Sequence, residues 1–148
     1  MKEIFAQLIQ NKIFMTTLSA WVIAQTIKVS IGVIRQKRFD FRWFVGTGGM
    51  PSSHAAGASC LATAIGLEYG FNSIYFALAA SFAIVVMFDA QGVRRATGRQ
   101  AHILNKIMED IYWRGRIDEA RLRELVGHTP IEVIGGFLLG IIIALFAR

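Results

Sequence analysis

Long apolar segments separated by charged ones constrain this chain more than any other feature. The first, residues 13–34, is interrupted only by Gln25, Lys28, one glycine and a few hydroxyl-bearing residues. A helix that crosses a bilayer needs roughly 20 consecutive, mostly apolar residues, and this segment is long enough. It exceeds the apolar core of a cleaved signal peptide, about 7–15 residues, so we expect it to be retained as a membrane span.

Three more apolar segments follow the first. They cover residues 55–67, residues 73–88, and a stretch after the HTPIEVIGG sequence that ends at Phe146. Hydrophobic residues make up 54% of the chain, above the roughly 45–50% of an average soluble domain. We therefore predict an all-α, polytopic membrane helix bundle with about four spans, folded as a single integral membrane domain over residues 1–148.

Two other segments have the periodicity of amphipathic helices. Residues 1–12 and residues 95–113 both repeat apolar side chains at intervals of three and four positions, the period of one helix face. The apolar positions are Ile4, Phe5, Leu8 and Ile9 in the first segment, and Ile103, Leu104, Ile107, Met108 and Ile111 in the second. We expect amphipathic helices of this kind to lie at the membrane interface.

Most of the basic residues lie in two segments, 35–42 and 91–127, and the formal net charge is +6. In a four-span topology both segments lie on the same side, and the positive-inside rule assigns that side to the cytoplasm. We expect a protein of the plasma membrane. A nucleic-acid-binding protein would instead carry its cations on a soluble face interleaved with aromatics, so no nucleic-acid partner is expected.

Several residues on that side suit an anionic ligand. Lys28 and Arg35 are seven positions apart, about two helical turns, and so project from one face of the first span. The Gly-rich residues 46–54 cannot continue a helix, and Ser52 or Ser53 is a good cap for the helix that follows. The first N–H groups of a helix have no intrahelical partner, and they attract anions.

Two histidines accompany these groups. His54 stands in the first turn of the second span, and His128 precedes the fourth. Glu132 lies four residues after His128, where its carboxylate can orient the imidazole. Phosphoryl transfer can use this set, because one histidine attacks phosphorus and the other protonates the leaving oxygen while cations and amides stabilise the charge. No metal or other cofactor is required.

Some of these residues also have purely structural interpretations. Residues 129–132, Thr-Pro-Ile-Glu, form a capping-box pattern with proline at the first helical position, so Glu132 can cap a helix, hold His128, or do both. Ser52 and Ser53 can serve as ordinary caps. For His54 and His128 a functional role is favoured, because ionisable residues near a bilayer are usually functional.

With these motifs in place, the chain resembles a divergent branch of the type 2 phosphatidic acid phosphatase superfamily, which includes the vanadium-dependent haloperoxidases. That superfamily carries K-x6-R-P, P-S-G-H and S-R-x5-H-x3-D motifs, and the matches here lie between residues 28 and 132. The resemblance implies a phosphohistidine at His128, an orienting role for Glu132 and general acid catalysis by His54. It also implies phosphoryl binding by Lys28, Arg35, Ser52 and Ser53.

The chain departs from the superfamily pattern at five positions, one of which is Arg121 in the place of the third-motif serine. Gln36 replaces a proline, Ser53 a glycine and Glu132 an aspartate, and Leu122 occupies the place of the third-motif arginine. An arginine of residues 89–101 could replace the missing one, with Arg94, Arg95 and Arg99 as the candidates. The chain also has fewer spans than the six usual in membrane members, so a homo-oligomer could be needed to complete the pocket.

Three functions remain open at this point. The first is a membrane lipid phosphatase that hydrolyses a phosphate or diphosphate monoester. The second is a non-catalytic lipid-phosphate binder, carrier or scaffold, which the absence of the third-motif arginine favours. The third is a small subunit of a larger membrane complex, which only the size of the chain suggests.

Overall fold

The computed structural model describes residues 1–37, 49–112 and 128–147, with side chains given for only part of the range 91–112. These residues form five α-helices and no strand, which confirms the all-α prediction for this part of the chain. The helices are α1 (Lys2–Gln10), α2 (Lys12–Gln36), α3 (Ser53–Tyr69), α4 (Ile74–Tyr112) and α5 (Pro130–Phe146).

The first two helices are separated by a single residue, Asn11. Its extended backbone ends α1, and its side chain caps α2 by accepting a hydrogen bond from the Phe14 amide at 3.0 Å. The apolar side chains Ile4, Phe5 and Ile9 of α1 are all exposed. The amphipathic helix predicted for the N-terminal segment is therefore present, and its apolar face is free of the bundle.

Helix α3 lies at the centre of the bundle and packs against α2, α4 and α5. It is rich in alanine, glycine and serine, and such small residues let neighbouring helix backbones approach closely. Its buried residues are Ser53, Ala55, Ala56, Gly57, Ala58, Ser59, Cys60, Ala62 and Gly66.

The closest approach to α3 is made by one face of α5. Gly136 and Gly140 are buried on that face, and a Cβ at Gly140 would collide with the Ser59 hydroxyl and with backbone atoms of α3. The Ser59 hydroxyl donates a hydrogen bond across the interface to the Phe137 carbonyl at 3.0 Å. Glycine is therefore required where the two backbones meet.

We expect Gly136→Ala to destabilise the protein, because the new methyl group would meet the Ser52 carbonyl and would lie 3.0 Å from the Ala55 Cβ. Neither neighbour can swing away, so the cost should be about 1–3 kcal/mol. Gly135→Ala is the matched control, since its methyl group would meet only the flexible end of Met50. Thermal unfolding in detergent should show a lower Tm for Gly136→Ala alone; equal Tm values would contradict this packing.

The predicted number of four spans is not confirmed. Among the described residues, only α2, with 25 residues, is long and apolar enough to cross a membrane by length and composition. The apolar part of α4, Ile74–Ala90, and helix α5 are shorter. A helix of 17 residues is about 25 Å long, slightly less than the roughly 30 Å of the hydrocarbon core.

The third span and the following amphipathic helix were expected to be separate, and this expectation is wrong. Helix α4 runs without interruption from Ile74 to Tyr112. The sequence between the two predicted segments contains no proline and a single glycine, Gly92. One glycine inside a helix costs only about 1 kcal/mol, which is too little to end a helix favoured on both sides.

Candidate functional site

Parts of four helices meet at one end of the bundle. The Ser52 amide, just before α3, donates to the Glu132 carbonyl in the first turn of α5 at 3.0 Å. The His128 amide, just before α5, donates to the Ala90 carbonyl of α4 at 3.3 Å. Gly49 lies against the Lys28 side chain of α2. The segments that carry the predicted site residues are therefore held together by backbone contacts.

The start of α3 has the capped geometry that the sequence predicts. Ser52 is the N-cap, and its side chain accepts a hydrogen bond from the Ala55 amide at 3.3 Å. Ser52 is fully buried and Ser53 is 4% exposed. The positive end of the α3 dipole is thus directed to this end of the bundle, where it favours a negative charge.

His128 is held by Glu132. The Nδ1 atom of His128 lies 3.0 Å from Oε2 of Glu132, and the His128 residue is 3% exposed. An ionised carboxylate can only accept hydrogen bonds, so Nδ1 carries the proton of this contact. In the neutral form of the imidazole, the other ring nitrogen, Nε2, holds the lone pair that a nucleophile or a base needs.

Glu132 is also part of the helix cap. Its Oε2 atom accepts from the Thr129 amide at 3.2 Å, and the Glu132 amide donates to Oγ1 of Thr129 at 3.4 Å. The capping box is therefore complete. Glu132 therefore caps α5 and contacts His128 at the same time, because its Oε2 atom makes both contacts.

The ring of His54, in the first turn of α3, lies next to the ring of His128. The two ring centroids are 6.2 Å apart, with an interplanar angle of 62°. His54 is exposed, whereas His128 is buried. The structure therefore brings the two predicted histidines side by side at the start of α3.

The two predicted cations of α2 have different environments. Lys28 is 9% exposed, and Gly49, with a φ of +90°, packs so closely that a Cβ there would lie 3.1 Å from Cγ of Lys28. Arg35 is exposed in the last turn of α2. Seven residues correspond to about 10 Å along a helix, so Arg35 lies well beyond Lys28 and is not part of the buried cluster.

The candidates for the missing arginine lie on α4. Arg94 and Arg95 lie about one helical turn after Ala90. Ala90 is the residue whose carbonyl accepts the hydrogen bond from the His128 amide. Their side chains and Leu122 lie outside what the structure describes. Within the described residues no three histidine, cysteine or acidic side chains form a group that could hold a metal ion.

Sequence reasoning gave no role to two residues that the structure places near this cluster. Gly49 packs on the aliphatic part of the Lys28 side chain. Gln25 lies on α2, as Lys28 does, and is 4% exposed. A sequence signal existed for Gln25, because it precedes Lys28 by three positions and so shares a helix face with it. For Gly49 the Gly-rich loop gave no residue-specific signal.

Comparison with known proteins agrees with the family resemblance. A profile of the family described as "Divergent PAP2 family" matches residues 9–143. The chain belongs to this family. The resemblance inferred from Lys28, the PSSH segment and His128 is thereby confirmed, and the family match extends on both sides of the 28–132 range that carries those motifs.

A relative from Bacillus subtilis (strain 168), described as "Uncharacterized membrane protein YuiD", is 41% identical over 152 aligned residues. The match covers 94% of this chain and 95% of that relative. No solved structure matches the chain. The Divergent PAP2 family assignment thus gives an ancestry, and the chemistry has to be argued from the residues.

Proposed function

We propose that this chain is an integral membrane phosphatase that hydrolyses a phosphate or diphosphate monoester of a lipid through a phosphohistidine. The observation that carries the proposal is the contact of the buried His128 with the partly exposed Glu132, with Nδ1 and Oε2 3.0 Å apart and the His54 ring opposite. A nucleophile, a group that orients it and a second proton-transfer group at the start of a helix are the parts that this reaction needs.

The reaction has two steps. Nε2 of His128 attacks phosphorus, the bond from phosphorus to the lipid oxygen breaks, and His54 donates a proton to that leaving oxygen. Water then attacks the phosphohistidine while His54 takes back a proton. The P–N bond breaks, inorganic phosphate leaves, and both histidines return to their starting protonation states.

Positive charge and backbone amides stabilise the phosphoryl oxygens in this scheme. Lys28 supplies an ammonium group from α2, and the start of α3 at Ser52–Ser53 supplies N–H groups and the helix dipole. Arg94 or Arg95 takes the role of the absent third-motif arginine. The His128 amide donates to the Ala90 carbonyl, and Ala90 lies about one turn before these two arginines on α4. This proximity supports the assignment.

The surroundings of the site support a lipid as the substrate. Helix α2 has the length and composition of a membrane span, and the relative from Bacillus subtilis is described as a membrane protein. A site at the ends of such helices lies at the level of lipid headgroups. We place it on the cytoplasmic side of the plasma membrane, where the positive-inside rule puts the basic segments.

The test is phosphate release by the purified protein in detergent, with phosphatidic acid, phosphatidylglycerol phosphate and polyprenyl diphosphate as substrates. We expect His54→Gln to lower kcat about 10²–10⁴-fold, the usual contribution of general acid catalysis. With p-nitrophenyl phosphate the loss should be smaller, because that leaving group needs little protonation. Because His54 also acts in the second step, which is the same for all substrates, the two losses are compared in kcat/KM, which reports the first step. An equal loss of kcat/KM for both substrate types would contradict the role of His54 as general acid.

A second candidate is a non-catalytic binder or carrier of lipid phosphates. The leucine at position 122, where the superfamily has an arginine, favours this function. It predicts that the protein binds the same lipids but releases no phosphate from any of them. The assay above therefore separates the two candidates directly.

A further inference from the structure

A cleft lies at the end of the bundle opposite the candidate site. The start of α2, the end of α3 and the end of α5 enclose it, and its volume is about 160 Å³. This space is far larger than a single water molecule needs. Its lining includes one cation, Lys12, one carboxylate, Glu68, and the hydroxyl-bearing Thr16.

The position of the cleft follows from the way α2 and α3 pack. The Cys60 thiol of α3 donates to the Thr16 carbonyl of α2, with the sulfur 3.6 Å from the oxygen, so the end of α3 lies beside the start of α2. Lys12 precedes Lys28 by 16 positions on α2, which is about 24 Å along the helix axis. The hydrocarbon core of a bilayer is roughly 30 Å thick. The cleft and the candidate site therefore lie near opposite membrane interfaces.

Small side chains leave this space open between the three helices. Ala64 of α3 and Ala144 of α5 both line the cleft, and Ala144 packs below it against Ala20 and Cys60. Lys12 and Glu68 are exposed, whereas Ala144 is buried. The floor of the cleft is thus apolar, and its two charged groups lie where it opens.

Helix α1 indicates that this opening is at the level of lipid headgroups. A single residue, Asn11, joins α1 to Lys12, and the apolar side chains Ile4, Phe5 and Ile9 of α1 are exposed. An amphipathic helix next to a membrane span lies in the interface, with its apolar face at the boundary between headgroups and acyl chains. Lys12 is therefore at the depth of the lipid phosphates.

We propose that the cleft binds the headgroup of a zwitterionic phospholipid that carries a primary ammonium, as phosphatidylethanolamine does. The Lys12 ammonium and the Thr16 hydroxyl donate hydrogen bonds to the phosphate, and the Glu68 carboxylate accepts from the headgroup ammonium. This site is separate from the phosphoryl site, so the inference does not rest on the proposed function.

The lining favours a primary over a quaternary ammonium. A quaternary ammonium has no N–H group to donate to Glu68, and proteins usually recognise it with a cage of aromatic rings. The walls of this cleft are instead formed by aliphatic side chains such as Ile13 and Leu67. Such walls suit the glycerol and upper acyl carbons of a lipid, and the carboxylate suits an ethanolamine.

The test is a lipid titration of the full chain in detergent, followed by native mass spectrometry. The two lipids are phosphatidylethanolamine and phosphatidylcholine with identical acyl chains. We expect the first to bind about tenfold more tightly, the effect of one charge-assisted hydrogen bond. Glu68→Gln should lower the affinity for phosphatidylethanolamine to that for phosphatidylcholine and leave the latter unchanged. Lys12→Met should weaken both, because both lipids carry the phosphate.

Two control variants separate this site from general charge effects and from the candidate site. Glu3→Gln removes the same charge from an exposed position on α1, outside the cleft, and should change neither affinity. His128→Asn alters the other end of the bundle and should also change neither. Weaker binding of phosphatidylethanolamine to His128→Asn would place the lipid at the candidate site and overturn the inference.

The remaining outcomes decide the ligand. Equal affinities of the wild type for the two lipids, or an equal loss for both in Glu68→Gln, would overturn the inference without requiring any variant to be especially stable. Glycerophosphoethanolamine, which has the headgroup without acyl chains, should displace the lipid only at a much higher concentration. Displacement at a concentration equal to that of the lipid would mean that the cleft takes a soluble molecule, which contradicts a lipid site.

Discussion

Phosphate release should fall by at least about a thousandfold when His128 is replaced by asparagine. The reaction then lacks its nucleophile, and the loss of a nucleophile costs far more than the loss of an orienting group. Asparagine is chosen because its amide nitrogen can take the place of Nδ1, which lies 3.0 Å from Oε2 of Glu132. The contact that orders the start of α5 is thereby kept while Nε2 is removed.

The measurement is kcat with the best lipid substrate, alongside Tm for the wild type and for His128→Asn. A Tm close to that of the wild type shows that the lost activity is not a loss of fold. Activity within tenfold of the wild type would mean that His128 is not the nucleophile. In that case His54, whose ring lies opposite that of His128, would be the next candidate.

The second large effect is expected for Glu132→Gln. Glutamine also completes a capping box, so the helix start and the contact to His128 should survive. The substitution removes only the negative charge beside the imidazole, which stabilises the ring once phosphorus is attached or a proton is gained. We expect kcat to fall about 100-fold with little change in Tm.

Thr129→Ala is the complementary variant. It removes the hydroxyl that accepts from the Glu132 amide at 3.4 Å and should cost about 1 kcal/mol of stability, as caps usually do. The carboxylate remains beside His128, so kcat should stay within a few-fold of the wild type. If Glu132→Gln lowered Tm and left kcat unchanged, Glu132 would be a capping residue only.

The candidate site was predictable where function depends on fixed spacing within one helix. His128 and Glu132 are four positions apart, and that spacing brings them together in any helix. The helix start at Ser52 was predictable for a similar reason, because glycine and proline end regular structure just before a good cap. Both features depend on residues that are close in sequence, so they can be predicted without knowing how the helices pack.

The features that sequence reasoning missed depend on neighbouring helices. Whether Gln25 is buried is decided by α3, whose small side chains let α2 approach. The spacing of Gln25 from Lys28 indicates a shared helix face, but it does not indicate that this face is buried. The continuity of α4 was missed because a polar segment was interpreted as a break. Helices tolerate polar residues well, and only proline or a capping glycine ends them reliably.

The central claim is tested most directly by trapping the covalent intermediate. The protein would be mixed with its lipid substrate, quenched within milliseconds at alkaline pH, and digested for mass spectrometry. The proposal predicts a phosphoryl group on His128 that appears and decays at rates consistent with turnover. Steady phosphate release with no phosphohistidine, or with the label on another residue, would contradict it.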